Sequence, residues 1–125
     1  MRKFAMLAAA AALAGCSTAP GSGWSRASDL SVYGSAHSYA RIAWEQEVFC
    51  QGTERAHASA RFEREFGARD AAVRAALVER HGEAAIARAG RHFVQRVPCG
   101  DVPDPQWRAR YDRLLRLLET RLGLI

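Results

Sequence analysis

Glu54 and His57 are the residues whose types and spacing come closest to those of a metal site. A carboxylate and an imidazole three residues apart on a helix share one face. A helical bundle that holds two metal ions needs two such pairs and two further glutamates. Neither His81 nor His92 has a carboxylate three residues before it. We therefore expect no metal and no cofactor, and keep a metal-binding or ligand-binding carrier that uses Glu54 and His57 as the alternative function.

Patterns typical of nucleophilic or acid–base catalysis are also missing from the sequence. It contains neither the G-x-S-x-G elbow of hydrolases nor an S-x-x-K pair. Glu45 and Glu47 are two residues apart, so on a helix they point to different sides and cannot act as a pair of carboxylates. The sequence predicts a protein that is not an enzyme, with no catalytic residue to name.

The sequence contains three cysteines. If Cys16, close to the N-terminus, has a separate role, Cys50 and Cys99 remain as a pair. Redox and metal sites usually use close spacing such as C-x-x-C, whereas these two residues are far apart in the chain. In an oxidising compartment such a pair is expected to form a structural disulfide.

The first sixteen residues have the three regions of a secretory signal peptide. Arg2 and Lys3 supply the positive start, and residues 4–14 form an uncharged apolar run too short to cross a bilayer. The run ends in LAGC, which resembles the lipobox of bacterial lipoproteins. That resemblance implies cleavage after residue 15 and attachment of a lipid to Cys16, and it covers these residues alone. Ser17 at the following position implies the outer membrane, with the protein facing the periplasm.

Arginine supplies every positive side chain after the leader, because Lys3 is the only lysine. Arginine makes bidentate contacts with phosphate, so phospholipid or lipopolysaccharide headgroups are conceivable ligands. The acidic residues are interspersed among the arginines, which argues against nucleic acid as a partner. A coding bias towards alanine and arginine explains the same composition without any ligand.

Composition divides the mature chain into a tether and one domain. Residues 16–34 are predicted to be the lipid anchor and a flexible segment rich in Ser, Gly and Ala, and residues 35–125 a helical periplasmic domain. Within the tether, the sequence leaves open whether Trp24 reaches the membrane interface or covers the domain.

Helical periodicity extends through the whole predicted domain, and no segment alternates with a period of two. The fold class is therefore all-α, a small bundle of four to five short helices held by one disulfide. Gly67 is expected to end the second helix, and Asp70 to cap the third. The expected helices cover residues 36–51, 54–66, 70–81 and 83–97, with a last one starting near Pro105.

The last predicted helix has the clearest apolar stripe in the sequence. Tyr111, Leu114 and Leu118 lie on the stripe with their neighbours, and Arg108, Asp112 and Arg116 have the spacing of i, i+4 ion pairs on its charged side. Such a stripe typically packs into a core.

Three apolar residues lie off the predicted core stripes. Trp44 and Val48 face away from the side of the first helix that carries Tyr39 and Phe49, and Leu117 lies outside the stripe of the last helix. They either pack in a bundle that buries the first helix on two sides or form an exposed patch for a partner. Our leading hypothesis is a non-enzymatic, lipid-anchored envelope protein that binds another envelope protein through these three residues.

Overall fold

A computed structural model describes residues 22–90, 97–101 and 103–125. The predicted signal peptide at 1–15, the predicted lipid anchor Cys16 and the first part of the predicted tether lie outside the described residues. The fold is all-α, as predicted, and the described residues contain no strand. No described helix is long and apolar enough to cross a membrane.

The described residues form five α-helices, and two of these helices continue into a π turn. A short 3₁₀ turn, Ser22–Trp24, precedes the first helix. The helices are α1 at Asp29–Glu45, which continues as a π turn over Gln46–Cys50, α2 at Arg55–Phe62, with a π turn over Glu63–Gly67, α3 at Ala68–His81, α4 at Glu83–Ala89 and α5 at Gln106–Arg121.

Helix α1 begins at Asp29, so the expected start at Ala36 is wrong. The Ser28 hydroxyl accepts a hydrogen bond from the backbone N–H of Ser31 at 3.1 Å, which caps the helix. Val32 is completely buried in the first turns. Residues 29–34, assigned to the tether from their composition, are therefore part of the packed helix, because a buried apolar face outweighs a Ser-rich and Gly-containing sequence.

Gly67 does not end a helix, contrary to the sequence expectation. Its backbone is right-handed helical, with φ of −56°, and the chain passes through it from the π turn into α3. Asp70 therefore lies inside α3 and caps nothing. Glycine costs a helix interior only about 1 kcal/mol, which the packing of Phe66 on one side and Val73 on the other can offset.

Gly82 ends α3 as expected. Its φ is +85°, a left-handed conformation that glycine adopts without steric cost, and its N–H bonds to the carbonyl of Val78. Helix α4 follows directly. The expected continuation of that helix to residue 97 falls largely on residues 91–96, outside the described part, and Val97 itself is not helical.

The core lies mainly where α5 packs against α1, with α3 and α4 closing it. The predicted stripe on α5 is confirmed for Tyr111, Leu114, Leu115 and Leu118, while Trp107 and Leu122 at its ends are half-buried. The buried cluster comprises Val32, Tyr33, Ala36, Phe66, Val73, Leu77, Ile86, Tyr111, Leu114, Leu115 and Leu118.

The predicted disulfide between Cys50 and Cys99 is confirmed, with Cα atoms 5.5 Å apart. It joins the π turn that ends α1 to the segment that precedes α5. In the chain-entropy account, a loop of this length stabilises the fold by about 4 kcal/mol.

The backbone conformations of Gly67 and Gly82 predict that substitution by alanine has opposite effects on stability at the two positions. Gly67→Ala should raise the free energy of unfolding by about 0.5–1 kcal/mol, because alanine favours a helix and the new methyl group displaces only the flexible carboxylate of Glu63. Gly82→Ala should lower it by about 1–2 kcal/mol, because its φ is positive. Urea unfolding measures both; shifts of the same sign would contradict the backbone assignment at Gly67.

Candidate functional site

Asp70 is at the centre of a polar cluster that joins three helices. Its Oδ1 atom accepts hydrogen bonds from Nε2 of His37 at 3.0 Å and from the hydroxyl of Tyr111 at 3.3 Å. The ring of Tyr33 lies 4.3 Å from that of His37. The sequence did not reveal this cluster, since it gave no role to His37 and indicated a capping role for Asp70.

Burial controls the acidity of the two tyrosines in the Asp70 cluster. Loss of solvent raises the pKa of Tyr33 to about 12, the nearby Asp70 charge adds to the increase, and Arg74 opposes it. The pKa of Tyr111 rises for the same first reason, reinforced by the charge of Asp70 and its hydrogen bond. Both hydroxyls therefore stay protonated to a higher pH than that of an exposed tyrosine, and the hydroxyl of Tyr111 stays a donor to Asp70.

Arg69 forms a second polar cluster, between α3 and α5. Its guanidinium bonds to Glu119 through Nε and Nη2 and to Asp112 through Nη1 at 2.7 Å. Glu119 is only 6 % exposed, so this pairing compensates a buried charge. Burial of Asp112 alone would raise its pKa, but the hydrogen bond from Arg69 and the charges of Arg116 and Arg69 outweigh it and hold the pKa below the usual range.

Glu47 is the acidic residue of a third cluster, and it is 5 % exposed. It pairs with Arg61 and, at 4.0 Å, with Arg108. Arg108 also stacks over the Phe62 ring at 4.7 Å and pairs with Glu65. The ion pair expected between Arg108 and Asp112 is therefore not formed, because the buried Glu47 and the Phe62 ring attract this guanidinium instead.

Two other sequence predictions concern the ion pair of Arg116 and the separation of Glu45 from Glu47. Arg116 pairs with Asp112 at 3.1 Å, as the i, i+4 spacing predicts. Glu45 pairs with Arg41 on the surface, while Glu47 turns inward, so the two glutamates indeed occupy different environments.

Glu54 and His57, the candidate ligands of the carrier alternative, are both exposed. Glu54 precedes α2 and its side chain makes no capping hydrogen bond. Within the described residues, no group of three or more His, Cys, Asp or Glu side chains has the geometry to hold a metal ion.

The three candidate partner-binding residues lie in two different surroundings. Trp44 is half-buried, and its indole N–H donates to the hydroxyl of Ser59 at 3.1 Å, against α2. Val48, in the π turn, is also half-buried. Leu117 packs at the edge of the core on α5, where Trp24 and Tyr39 are its neighbours in a groove.

Phe49 does not share the buried face of Ile42, although the helical period placed both on one side. It is 52 % exposed, and the guanidinium of Arg55 lies 5.6 Å from its ring centre. The π turn explains the difference, because an extra residue in the turn rotates the positions after Gln46 away from a 3.6-residue period. Phe49 lines an open groove of about 320 Å³ next to the disulfide, together with Ile42 and Pro98.

A second and larger groove, of about 470 Å³, runs between α1 and α5; we call it the arginine groove. Three arginines spaced three residues apart on α5 line it, together with aromatic and aliphatic side chains. The spacing of these arginines is visible in the sequence. The groove itself could not be predicted, because the sequence left open whether Trp24 packs on the domain. The lining residues are Trp24, Tyr39, Arg110, Arg113, Leu114, Arg116, Leu117 and Thr120.

Comparisons of the chain with protein-family models, with curated proteins and with solved structures find no match.

The Asp70 cluster predicts a loss of stability at alkaline pH. A tyrosine whose pKa is higher in the folded state than its usual value near 10 stabilises the fold fully below pH 10, and this contribution disappears as the pH rises through the folded value. For Tyr33 the window is pH 10 to about 12. The free energy of unfolding should therefore fall across that window.

Urea unfolding at a series of pH values measures this loss. The double variant Tyr33→Phe/Tyr111→Phe should be less stable at pH 8, because Tyr111 loses its bond to Asp70, yet it should show a shallower decline between pH 10 and 12. Equal slopes in the wild type and the double variant would contradict the role assigned to these tyrosines.

Proposed function

We propose that this chain is a lipid-anchored protein of the bacterial cell envelope, attached to the outer membrane through Cys16 and facing the periplasm. Its helical domain has a non-enzymatic role and binds another component of the envelope. The proposal starts from the signal-peptide regions at 1–15 and the LAGC sequence that ends in Cys16.

The Cys50–Cys99 disulfide is the observation that carries the proposal furthest. Disulfides persist in oxidising compartments such as the periplasm and are rare in the bacterial cytosol. This one closes a loop with a sequence separation of 49, about half of the domain, so a compartment in which both thiols become oxidised stabilises the fold. Export predicted from the first residues and oxidation of the last two cysteines support each other, although they concern separate parts of the chain.

The polar clusters favour a structural role over catalysis. Asp70, Arg69 and Glu47 each connect side chains from different helices, and each is already engaged by partners of its own fold. Such clusters fix the relative positions of helices and leave their charges compensated. A partner would then bind to side chains that remain reachable at the surface.

Trp44 and Val48 are the residues we assign to a protein partner. Both keep part of their surface accessible, Trp44 on the side of α1 that meets α2 and Val48 in the π turn that follows. A tryptophan whose polar N–H is already satisfied by Ser59 offers its apolar ring to a partner without a desolvation cost, and tryptophan is enriched among the residues that dominate binding energy at interfaces. Leu117 belongs to a different surface, the arginine groove.

Mass spectrometry of the protein isolated from a bacterial envelope tests the anchoring. We expect a chain that begins at Cys16 with acyl chains on that residue, and a disulfide-linked peptide pair containing Cys50 and Cys99. Cys16→Ser should abolish both cleavage after residue 15 and acylation, while leaving the disulfide intact. A full-length chain with free thiols at 50 and 99 would overturn the proposal.

A photo-crosslinking residue at position 48 tests the protein partner in intact cells. We expect one envelope protein to be captured there, and much less at exposed position 79 on α3, the control. Trp44→Ala should reduce the capture at position 48 at least tenfold, because the ring is removed from the interface. Ser59→Ala, which removes only the hydrogen bond to Trp44, should retain most of it.

Two results would contradict this assignment. Equal capture at positions 48 and 79 would indicate random collision. A large drop in melting temperature for Trp44→Ala, with capture lost only in proportion to unfolding, would make Trp44 a core residue.

A further inference from the structure

The arginine groove combines a positive rim with an apolar floor. Trp24, Tyr39 and Leu117 are half-buried and form the floor, with the fully packed Leu114 beneath. Arg110 lies over two rings at once, 4.8 Å from the centre of Trp107 and 5.6 Å from that of Tyr39. These stacking contacts hold its guanidinium at the rim.

The charges at the rim are poorly compensated by the fold. Among the described residues, no carboxylate pairs with Arg110 or Arg113, and the carboxylate of Asp112 that pairs with Arg116 is also bound by Arg69. Hydrogen bonds from Gln106 lower the pKa of Asp104 most, and the charge of Arg110 lowers it further. Asp104 and Arg110 nevertheless form no ion pair. The groove therefore carries a net positive charge that an anion can neutralise.

Arginine rims and aromatic floors suit a phosphate attached to an apolar body. Guanidinium groups bind phosphate oxygens in pairs of parallel hydrogen bonds. Indole and phenol rings prefer the boundary between headgroups and acyl chains, where one edge is wet and the other apolar. Thr120 also lines the groove, but its hydroxyl donates to the backbone carbonyl of Arg116 at 2.9 Å, so the arginines are the donors on which binding depends.

The position of Trp24 in the chain indicates where such a ligand comes from. Trp24 is eight positions after Cys16, so it lies within about 30 Å of the anchored residue even when the connection is fully extended. Resting on the proposed anchoring, we propose that the arginine groove binds the phosphate headgroup of an anionic phospholipid in the membrane that holds Cys16. This contact orients the domain on the membrane and turns the Trp44 side of α1, about 140° from Tyr39 around the helix, away from the groove.

Binding to vesicles tests the groove independently of the anchor. All contacts described above lie between residues 22 and 125, so the mature chain from residue 16 with Cys16→Ser keeps the described fold and has no acyl chain. Flotation with vesicles of phosphatidylcholine alone, and with equal parts of phosphatidylglycerol and phosphatidylcholine, measures the partition coefficient. We expect binding to the anionic vesicles, a blue shift of tryptophan fluorescence that Trp24→Phe reduces, and little binding to the neutral ones.

Matched pairs of substitutions separate the groove from general charge attraction. Arg110→Gln/Arg113→Gln should lower the partition coefficient more than tenfold, at about fivefold for each arginine at an anionic surface. Arg64→Gln/Arg88→Gln removes the same charge from exposed positions outside the groove and should lower it less than threefold. Circular dichroism melting checks that each variant is folded.

Three outcomes would overturn the proposal: equal losses in the two paired variants, equal binding to neutral and anionic vesicles, or no binding to either. Each of these would leave the mass-spectrometric test of the lipid at Cys16 unaffected, so a failure of the groove and a failure of the anchor are distinguishable.

Discussion

The packing of Tyr111, on α5, against Phe66 and Asp70 is the interaction on which the rest of the domain depends. Its ring meets that of Phe66 at 4.7 Å and its hydroxyl reaches Asp70, so one side chain fixes α5 against the turn between α2 and α3. The same Asp70 oxygen also accepts a hydrogen bond from His37 on α1. An apolar stripe alone would let α5 slide or rotate along α1, whereas a buried hydroxyl that must reach one carboxylate allows a single register.

The arginine pairs follow from that register. With α5 fixed, Glu119 becomes nearly buried, and Arg69 is positioned to compensate it. A buried ion pair adds little net stability, because the loss of solvation offsets the attraction, but removing one partner leaves a buried charge and is costly. We interpret these pairs as excluding wrong packings of the bundle. One consequence is functional: the inward-facing carboxylates of Glu119 and Glu47 pair with Arg69 and Arg61. Arg110 and Arg113, on the opposite side of α5, have no carboxylate partner among the described residues.

The features that the sequence predicted correctly are those that depend on a single helix or on a single pair of residues. The stripe on α5 and the Cys50–Cys99 pair need no knowledge of neighbours, and both are found. The errors at Ala36 and Gly67 share a cause, because in each case a local preference for linker or helix end is overridden by burial of the residues around it. The Asp70 cluster and the arginine groove could not be foreseen, since each joins residues from separate helices whose register the sequence does not reveal.

A lipid anchor leaves a domain free to rotate and tilt above the membrane, and this freedom weakens any interaction that needs one orientation. Under the proposed anchoring, a second contact beside the lipid would remove much of this freedom, because the groove would then bind at the high effective concentration set by the short connection from Cys16. A weak site for phosphate headgroups is sufficient for this purpose, as the lipids surround the anchor in excess. The disulfide is also part of this arrangement: by joining the end of α1 to the approach to α5, it keeps together the two helices whose opposed faces form the groove. Oxidation in the periplasm and orientation at the membrane would thus depend on the same pair of helices.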